Sequence, residues 1–308
     1  MPWWRPGLSS LVMYPHMGWW WGYQRSAGLG VQVRSAPCRD QDGGLALPAM
    51  QQALQRTCRR EMYKSRTVLL IAPAYNEEAK IGEVVRRTPR DIVDTMLVVD
   101  DGSTDATAAV ARRHGAEIIS LDRVYGVGYA IRRGFDEARR RGFDIVVIIA
   151  GNNKDAPEEI VRLLDPICDE DYDFVMGSRF LAGGKYGGDM PLYRKLATRL
   201  HPFLVSLFCG KPVTESSNGY RAMKVSVLDD PRLDLQQHWL DGYQLEVYLL
   251  IKLLKLGYRS TEVPVSKIYP SKGVGNTKMR PLVDWWHMLV PIFVIGFGIE
   301  HIVHAVRR

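Results

Sequence analysis

Two short segments carry residue types suited to holding a nucleotide. The first is Pro73-Ala74-Tyr75-Asn76-Glu77-Glu78. An aromatic ring can stack on a nucleobase, and neighbouring carboxylates can accept hydrogen bonds from base or ribose. Without a ligand, the same residues make a helix start with acids in its first turn, which the helix dipole favours. The second is Val98-Val99-Asp100-Asp101-Gly102-Ser103-Thr104-Asp105. Two adjacent carboxylates at a buried strand tip are costly unless something binds them. Either can accept the imino proton of uracil or guanine, or a ribose hydroxyl. The competing reading is a tight turn with a helix cap, which Asp-Gly and Ser-Thr-Asp also suit.

The elements that position these segments follow from hydrophobic periodicity. An apolar, β-branched run at 68–72 reads as a buried strand, and 77–87 as a helix with Ala79, Ile81, Val84 and Val85 inward. Strands at 96–99, 118–121 and 145–150 alternate with helices at 104–114 and 128–141, and Ser103 or Thr104 is a plausible cap. Strand and helix alternating at crossover spacing predict a doubly wound α/β sheet. Ligands on such sheets sit beyond the carboxyl ends of the strands, so the chemistry is expected just after Ala72, Val99 and Ala150. After Gly177 the alternation becomes irregular. A helix at 192–209, a turn at 216–219 before 220–225, an apolar helix at 245–256 closed by Gly257, and an edge strand at 259–265 are expected.

Composition bounds the alternatives. Of 308 residues, 46% are hydrophobic and 24% charged, which excludes a disordered, collagen-like or coiled-coil chain. Four separated cysteines without a C-x-x-C pair argue against a disulfide scaffold or zinc site and for a reducing compartment. Residues 1–66 hold nine of the 41 Lys/Arg and three of the 34 Asp/Glu, leaving 32 against 31 elsewhere. The net +7 therefore belongs mainly to this segment, and nucleic-acid binding by the folded part is not expected. The segment also carries Trp3, Trp4, Trp19, Trp20 and Trp21 without a persistent period. It reads as a disordered extension, a membrane-surface anchor or the product of an upstream start, Met62 being a natural alternative. At the other end, residues 281–308 form a separate apolar segment. Its apolar core at 288–299 is shorter than the roughly 20 residues a span needs. With Trp285 and Trp286 before it and Arg307 and Arg308 after, a membrane-embedded or interfacial helix is expected. His301 and His304 on this segment read as decoration, and Arg139-Arg140-Arg141 as a solvated helix end.

In this order the two acidic segments resemble the signature of glycosyltransferase family 2. The resemblance continues through Tyr125-Gly126-Val127-Gly128-Tyr129-Ala130-Ile131-Arg132, Gly177-Ser178-Arg179-Phe180 and Asn218-Gly219-Tyr220-Arg221-Ala222. Glu246, Gly257-Tyr258-Arg259 and Glu262-Val263-Pro264-Val265 resemble its closing block. The likeness covers about residues 67–280, and within the family it is nearest to the polyprenyl-phosphate and dolichol-phosphate sugar transferases. It implies a GT-A fold, a doubly wound mixed sheet with C-terminal membrane-associated helices. It also implies a UDP- or GDP-sugar donor and inversion at the anomeric carbon. Carried over by position, Pro73, Tyr75, Glu77, Asp100, Asp101, Arg132, Gly151 and Asn152 would hold the nucleotide. Arg179 and Lys278 would lie near the reacting phosphates.

One departure stands out. The family's Asp-x-Asp, which holds Mg²⁺ or Mn²⁺ on the donor diphosphate, reads Ala150-Gly151-Asn152 here, followed by Asn153, Lys154 and Asp155. A neutral amide oxygen is a weaker ligand for a hard cation. Either Asn152 and Asp155 hold the metal differently, or cations such as Lys154, Arg179 and Lys278 neutralise the diphosphate, or catalysis has been lost. The expected reaction moves a sugar to a polyprenyl phosphate, at the cytoplasmic side of a membrane, by a peripheral or monotopic protein. A phosphate acceptor needs no general base. The first alternative is a hydroxyl acceptor, which needs one; Asp241, Glu246 and Glu215 are the candidates. The second is a non-catalytic nucleotide-sugar binder.

Overall fold

A computed structural model describes residues 63–187, 192–269 and 283–298. The Trp-rich segment to residue 62, Lys278, His301, His304, Arg307 and Arg308 lie outside the described residues. The first half alternates as expected: β1 (Val68–Ala74), α1 (Glu78–Arg87), β2 (Thr95–Asp100), α2 (Thr107–Arg113), β3 (Glu117–Ser120), α3 (Val127–Arg141) and β4 (Ile145–Ile148). The second half contains α4 (Ile160–Asp169), β5 (Phe174–Ser178), β6 (Lys185–Gly187), α5 (Leu192–Cys209) and β7 (Arg221–Lys224). It closes with α6 (Gln244–Leu256), β8 (Ser260–Pro264), β9 (Ser266–Ile268) and α7 (Val283–Gly296).

Seven strands form one mixed sheet in the order β3-β2-β1-β4-β7-β5-β8. Strands β1 to β4 run parallel, β7 is antiparallel to both its neighbours, and β8 pairs parallel with β5 at the edge. Strand β1 alternates its faces, as a pleated strand must. Leu69 and Ile71 join a core with α3, α6 and α7, whereas Val68, Leu70 and Ala72 join a second core with α1 and α4. Both faces of the sheet are thus covered.

Two differences from the sequence reading have local causes. Strand β4 stops at Ile148, two residues early: Ile149 and Gly151 still donate N–H to the carbonyls of Ile71 and Pro73, but Pro73 has no N–H to return to β4. Helix α2 starts at Thr107, not 104, because Asp105 accepts the Thr107 N–H at 2.9 Å and residues 103–106 are spent on the preceding loop. Helix α7, from the segment expected to meet a membrane, buries Met288, Ile292, Val294 and Ile295 in the core, while Trp286 stays exposed.

Candidate active site

Strands β2 and β3 extend from one side of β1, and β4 lies on the other. The order therefore reverses between β1 and β4, and the crevice beyond their carboxyl ends is where such a sheet binds ligands. A cavity of about 200 Å³ opens there, with Pro73, Tyr75, Glu77, Asp101, Gly151 and Asn152 in its wall. The loops after β1 and β2 are tied to each other. Asn76, in the left-handed region at φ 48°, donates its N–H to Ser103 Oγ at 2.9 Å, and its Oδ1 accepts the Thr104 N–H at 2.8 Å. Glu78 Oε2 accepts the Ala106 N–H at 2.9 Å, and Glu77 N–H donates to Thr107 Oγ1 at 2.7 Å. Glu77 and Lys80 form an ion pair at 3.0 Å in the cavity wall.

Of the two adjacent aspartates, Asp100 turns into its own loop and accepts the Ser103 N–H at 3.2 Å. Asp101 faces the cavity and accepts the Tyr125 and Gly126 N–H groups at 2.8 and 2.9 Å. Burial pushes its carboxyl pKa up, and Asp100 and Asp241 add to this against the two amides. The Gly126-x-Gly128 pair serves packing. A Cβ on Gly128 would lie 2.0 Å from the Leu240 carbonyl, so only glycine lets the 240–242 turn sit on the start of α3. That turn accepts the Tyr129 N–H through the Asp241 carbonyl, at 3.0 Å. Arg132 is buried below it, ion-paired with Asp241 and donating to the Leu235 and Gln237 carbonyls at 2.6 and 3.0 Å. The structure thus places Arg132 and Asp241 in a support beneath the start of α3, outside the cavity wall.

The opposite wall is built by the 215–221 turn and α6. Arg179 is fully buried: it pairs with Glu215 at 2.5 Å and donates to Tyr269 Oη at 3.1 Å and Ser217 Oγ at 3.0 Å. Burial opposes the Glu215 charge, but Arg179 and the Ser217 donors outweigh it and hold the carboxyl below its usual range. Arg179 therefore holds the wall from behind. Arg221 lies in the cavity wall itself, donating to the carbonyls of Asn218 at 2.7 Å and Ser216 at 3.0 Å, and to that of Glu246. Gly219 leaves room for Glu246: a Cβ there would sit 2.6 Å from Glu246 Oε1. Of the three candidate bases, Glu246 is the one in the wall. Burial raises its pKa, and Asp155 adds to this, against Arg221 and Lys267.

At the expected metal site, Asn152 Oδ1 accepts the Lys154 N–H at 3.2 Å, within a turn that carries Lys154 into the cavity wall. Asp155 lies behind that wall, and its Oδ1 accepts from Lys267 Nζ at 2.6 Å. Asp155 Oδ2 is buried without a partner. A divalent cation of this class takes six or more oxygen donors, normally with carboxylates among them. Here the donors are one amide oxygen and one carboxylate already neutralised by an ammonium, with Lys154 between them in the chain. This set does not fit Mg²⁺ or Mn²⁺, and among the described residues no cluster of three His, Cys, Asp or Glu could hold a metal. Sequence reasoning passed over Lys80 and Lys267, and the ring of Tyr269. Lys267 lies in β9, two residues past the closing block and in no motif itself, and its antiparallel bridge to Asp155 brings it to the site.

Comparison with known proteins identifies the family. The model of glycosyl transferase family 2 matches residues 69–230, about half of the chain. The chain belongs to glycosyl transferase family 2. It is a glycosyltransferase of the GT-A fold. The polyprenol monophosphomannose synthase of Mycolicibacterium smegmatis is 30% identical over 254 residues, 80% of this chain and 89% of that protein. The undecaprenyl-phosphate mannosyltransferase of Micrococcus luteus is 32% identical over 219 residues, covering 69% and 87%. Among solved structures, glucosyl-3-phosphoglycerate synthase from Mycobacterium tuberculosis, in complex with Mn²⁺, UDP-glucose and phosphoglyceric acid, aligns with a TM-score of 0.55. That alignment has 24% identity and covers 76% of this chain and 80% of that one, which supports the fold.

Proposed function

We propose that this transferase moves a sugar from a UDP- or GDP-sugar to a polyprenyl phosphate, with inversion at the anomeric carbon. An acceptor phosphate oxygen attacks that carbon, the bond to the donor diphosphate breaks, and the nucleoside diphosphate leaves with the electron pair. The acceptor is already anionic near neutral pH and needs positioning and charge screening. The observation that carries this reading is the cation content of the cavity wall, where Lys80, Lys154, Arg221 and Lys267 face Glu77, Asp101 and Glu246. Two phosphate-bearing substrates call for such a wall. The names of the two relatives, each a polyprenol- or undecaprenyl-phosphate mannosyl enzyme, support the same acceptor class. On the donor side, Tyr75 would stack on the base, Asp101 would accept from it, and Glu77 would face the ribose.

A lipid acceptor calls for contact with a bilayer. Leu196, Leu200, Phe203 and Leu207 recur at helical spacing along α5 and are exposed, as are Trp286 and Phe297. The exposed Lys195 and Arg199 flank the stripe and would meet lipid phosphates. This supports a peripheral or monotopic attachment, and the cysteine pattern favours the cytoplasmic side. Among the described residues no helix is long and apolar enough to cross a membrane.

The deciding assay incubates the full chain with labelled UDP- or GDP-sugars and undecaprenyl phosphate, then extracts the lipid. Label in the organic phase that depends on detergent or lipid is the expected result. Equal turnover of a soluble hydroxyl acceptor in plain buffer would sink the proposal. One observation favours that second reading: Glu246 lies in the wall with a raised pKa, as a general base does. Glu246→Gln separates the two. Loss of a general base lowers kcat by about 10²–10⁴-fold, whereas with a phosphate acceptor kcat should stay within about tenfold and keep its pH profile.

A further inference from the structure

The residues that replace the acidic metal-binding pair form a cationic site of their own. Gly151 donates N–H to the Pro73 carbonyl at 3.2 Å, which fixes the 150–152 segment beside the nucleoside loop. Asn153 takes a left-handed conformation at φ 55°, and its Oδ1 accepts from Arg87 at 3.0 Å. The turn so held puts the Lys154 ammonium 5.0 Å from the centre of the Tyr269 ring, in the cavity wall. Lys267 enters the same wall from beyond β8. Its Nζ is pinned between Asp155 Oδ1 at 2.6 Å and Asn218 Oδ1 at 2.9 Å. Both side chains are buried apart from this surface. Asn218 belongs to the turn that also carries Arg221.

Two fixed ammonium groups therefore occupy the part of the cavity where a metal would meet the donor diphosphate. A divalent cation placed there would meet the Lys154 charge, a carboxylate already paired with Lys267, and too few free oxygens. A diphosphate would meet two charge-assisted donors whose entropy of ordering is already spent on Asp155, Asn218 and Tyr269. We infer that Lys154 and Lys267 bind the donor diphosphate directly, in place of a divalent metal ion. This rests on the nucleotide-sugar reading above and adds to it how the diphosphate is held.

The test is calorimetric binding of UDP, GDP, uridine and guanosine to the full chain, with EDTA or with Mn²⁺. Expected is that one nucleoside diphosphate binds more tightly than its nucleoside, and that EDTA changes its affinity by less than about twofold. Lys154→Gln should weaken that diphosphate by about tenfold or more, the worth of one charge-assisted hydrogen bond, and leave the nucleoside unchanged. The retained nucleoside binding reports that the variant is folded. The double variant Ala150→Asp with Asn152→Asp should make diphosphate binding respond to Mn²⁺. Diphosphate binding lost in EDTA while nucleoside binding persists would overturn the inference and leave the donor reading standing. An unchanged diphosphate affinity in Lys154→Gln would likewise overturn it. Failure of all four probes to bind would overturn both.

Discussion

Arg179 and Glu215 have side-chain exposures of 1% and 0%, so water screens neither charge. Each is tolerable only because the other, with Tyr269 and Ser217, satisfies it. Arg179→Ala strands a buried carboxylate and should cost about 3–5 kcal/mol, read as a fall in the urea midpoint at constant slope. Arg179→Met with Glu215→Leu should cost much less, since no charge is then stranded. An unaltered midpoint in Arg179→Ala with activity abolished would instead mean that this guanidinium touches substrate. Glu246 presents the opposite case. Its folded-state pKa is raised, by burial first, so the folded state favours the protonated form. The stability it contributes is complete below the ordinary carboxylate pKa and is lost as pH rises through the raised value. Glu246→Gln should therefore melt higher than wild type at pH 8, with the gap closing by pH 4. A gap that persists unchanged at pH 4 would contradict this.

At the scale of elements, the site depends on close contacts between loops. The 240–242 turn rests on the start of α3 only because residue 128 has no side chain. Gly128→Ala should lose about 1–3 kcal/mol, the usual cost of overpacking. It should also weaken nucleoside binding, because the same helix start supplies the amides that hold Asp101. Normal uridine and guanosine affinities in a destabilised Gly128→Ala would separate the turn from the nucleoside pocket. Helices α5 and α7 are joined to the opposite wall through His201. Its Nδ1 lies 2.6 Å from Ser216 Oγ and its Nε2 3.2 Å from the Met288 carbonyl. Burial lowers the His201 pKa, so the ring is held neutral. The stability it contributes is present above the ordinary pKa of about 6.5 and is lost as pH falls through the lowered value. Below pH 6, wild type should lose stability faster than His201→Gln; parallel melting curves would remove His201 from this role.

At the scale of the molecule, the exposed stripe on α5 and the exposed Trp286 and Phe297 are rim features of a fold whose sheet is covered on both faces. Seating an exposed Leu or Phe side chain in a lipid interface is worth roughly 1.5–3 kcal/mol. Leu200→Ser with Phe203→Ser should therefore lower co-flotation with anionic vesicles by about tenfold or more. Nucleoside affinity should not change, because neither residue lines the cavity. Unaltered flotation would contradict membrane contact through this stripe.

Periodicity, glycine spacing and strand-tip composition are local properties, and they were sufficient for the alternating first half and for the crevice beyond β1 and β4, whose wall includes Tyr75, Glu77 and Asp101. The likeness at six separated motifs led to the family. Which charges face the cavity was not legible in this way. Arg179 reads from its motif as a phosphate contact, yet packing against Glu215, thirty-six residues away, turns it inward. Lys267 carries no motif, and the bridge to Asp155, 112 residues earlier, brings it into the wall. Asp155 reads as a metal ligand until that lysine is beside it. A side chain's electrostatic role depends on partners within a few ångströms, and for distant segments those are set by sheet order and helix packing.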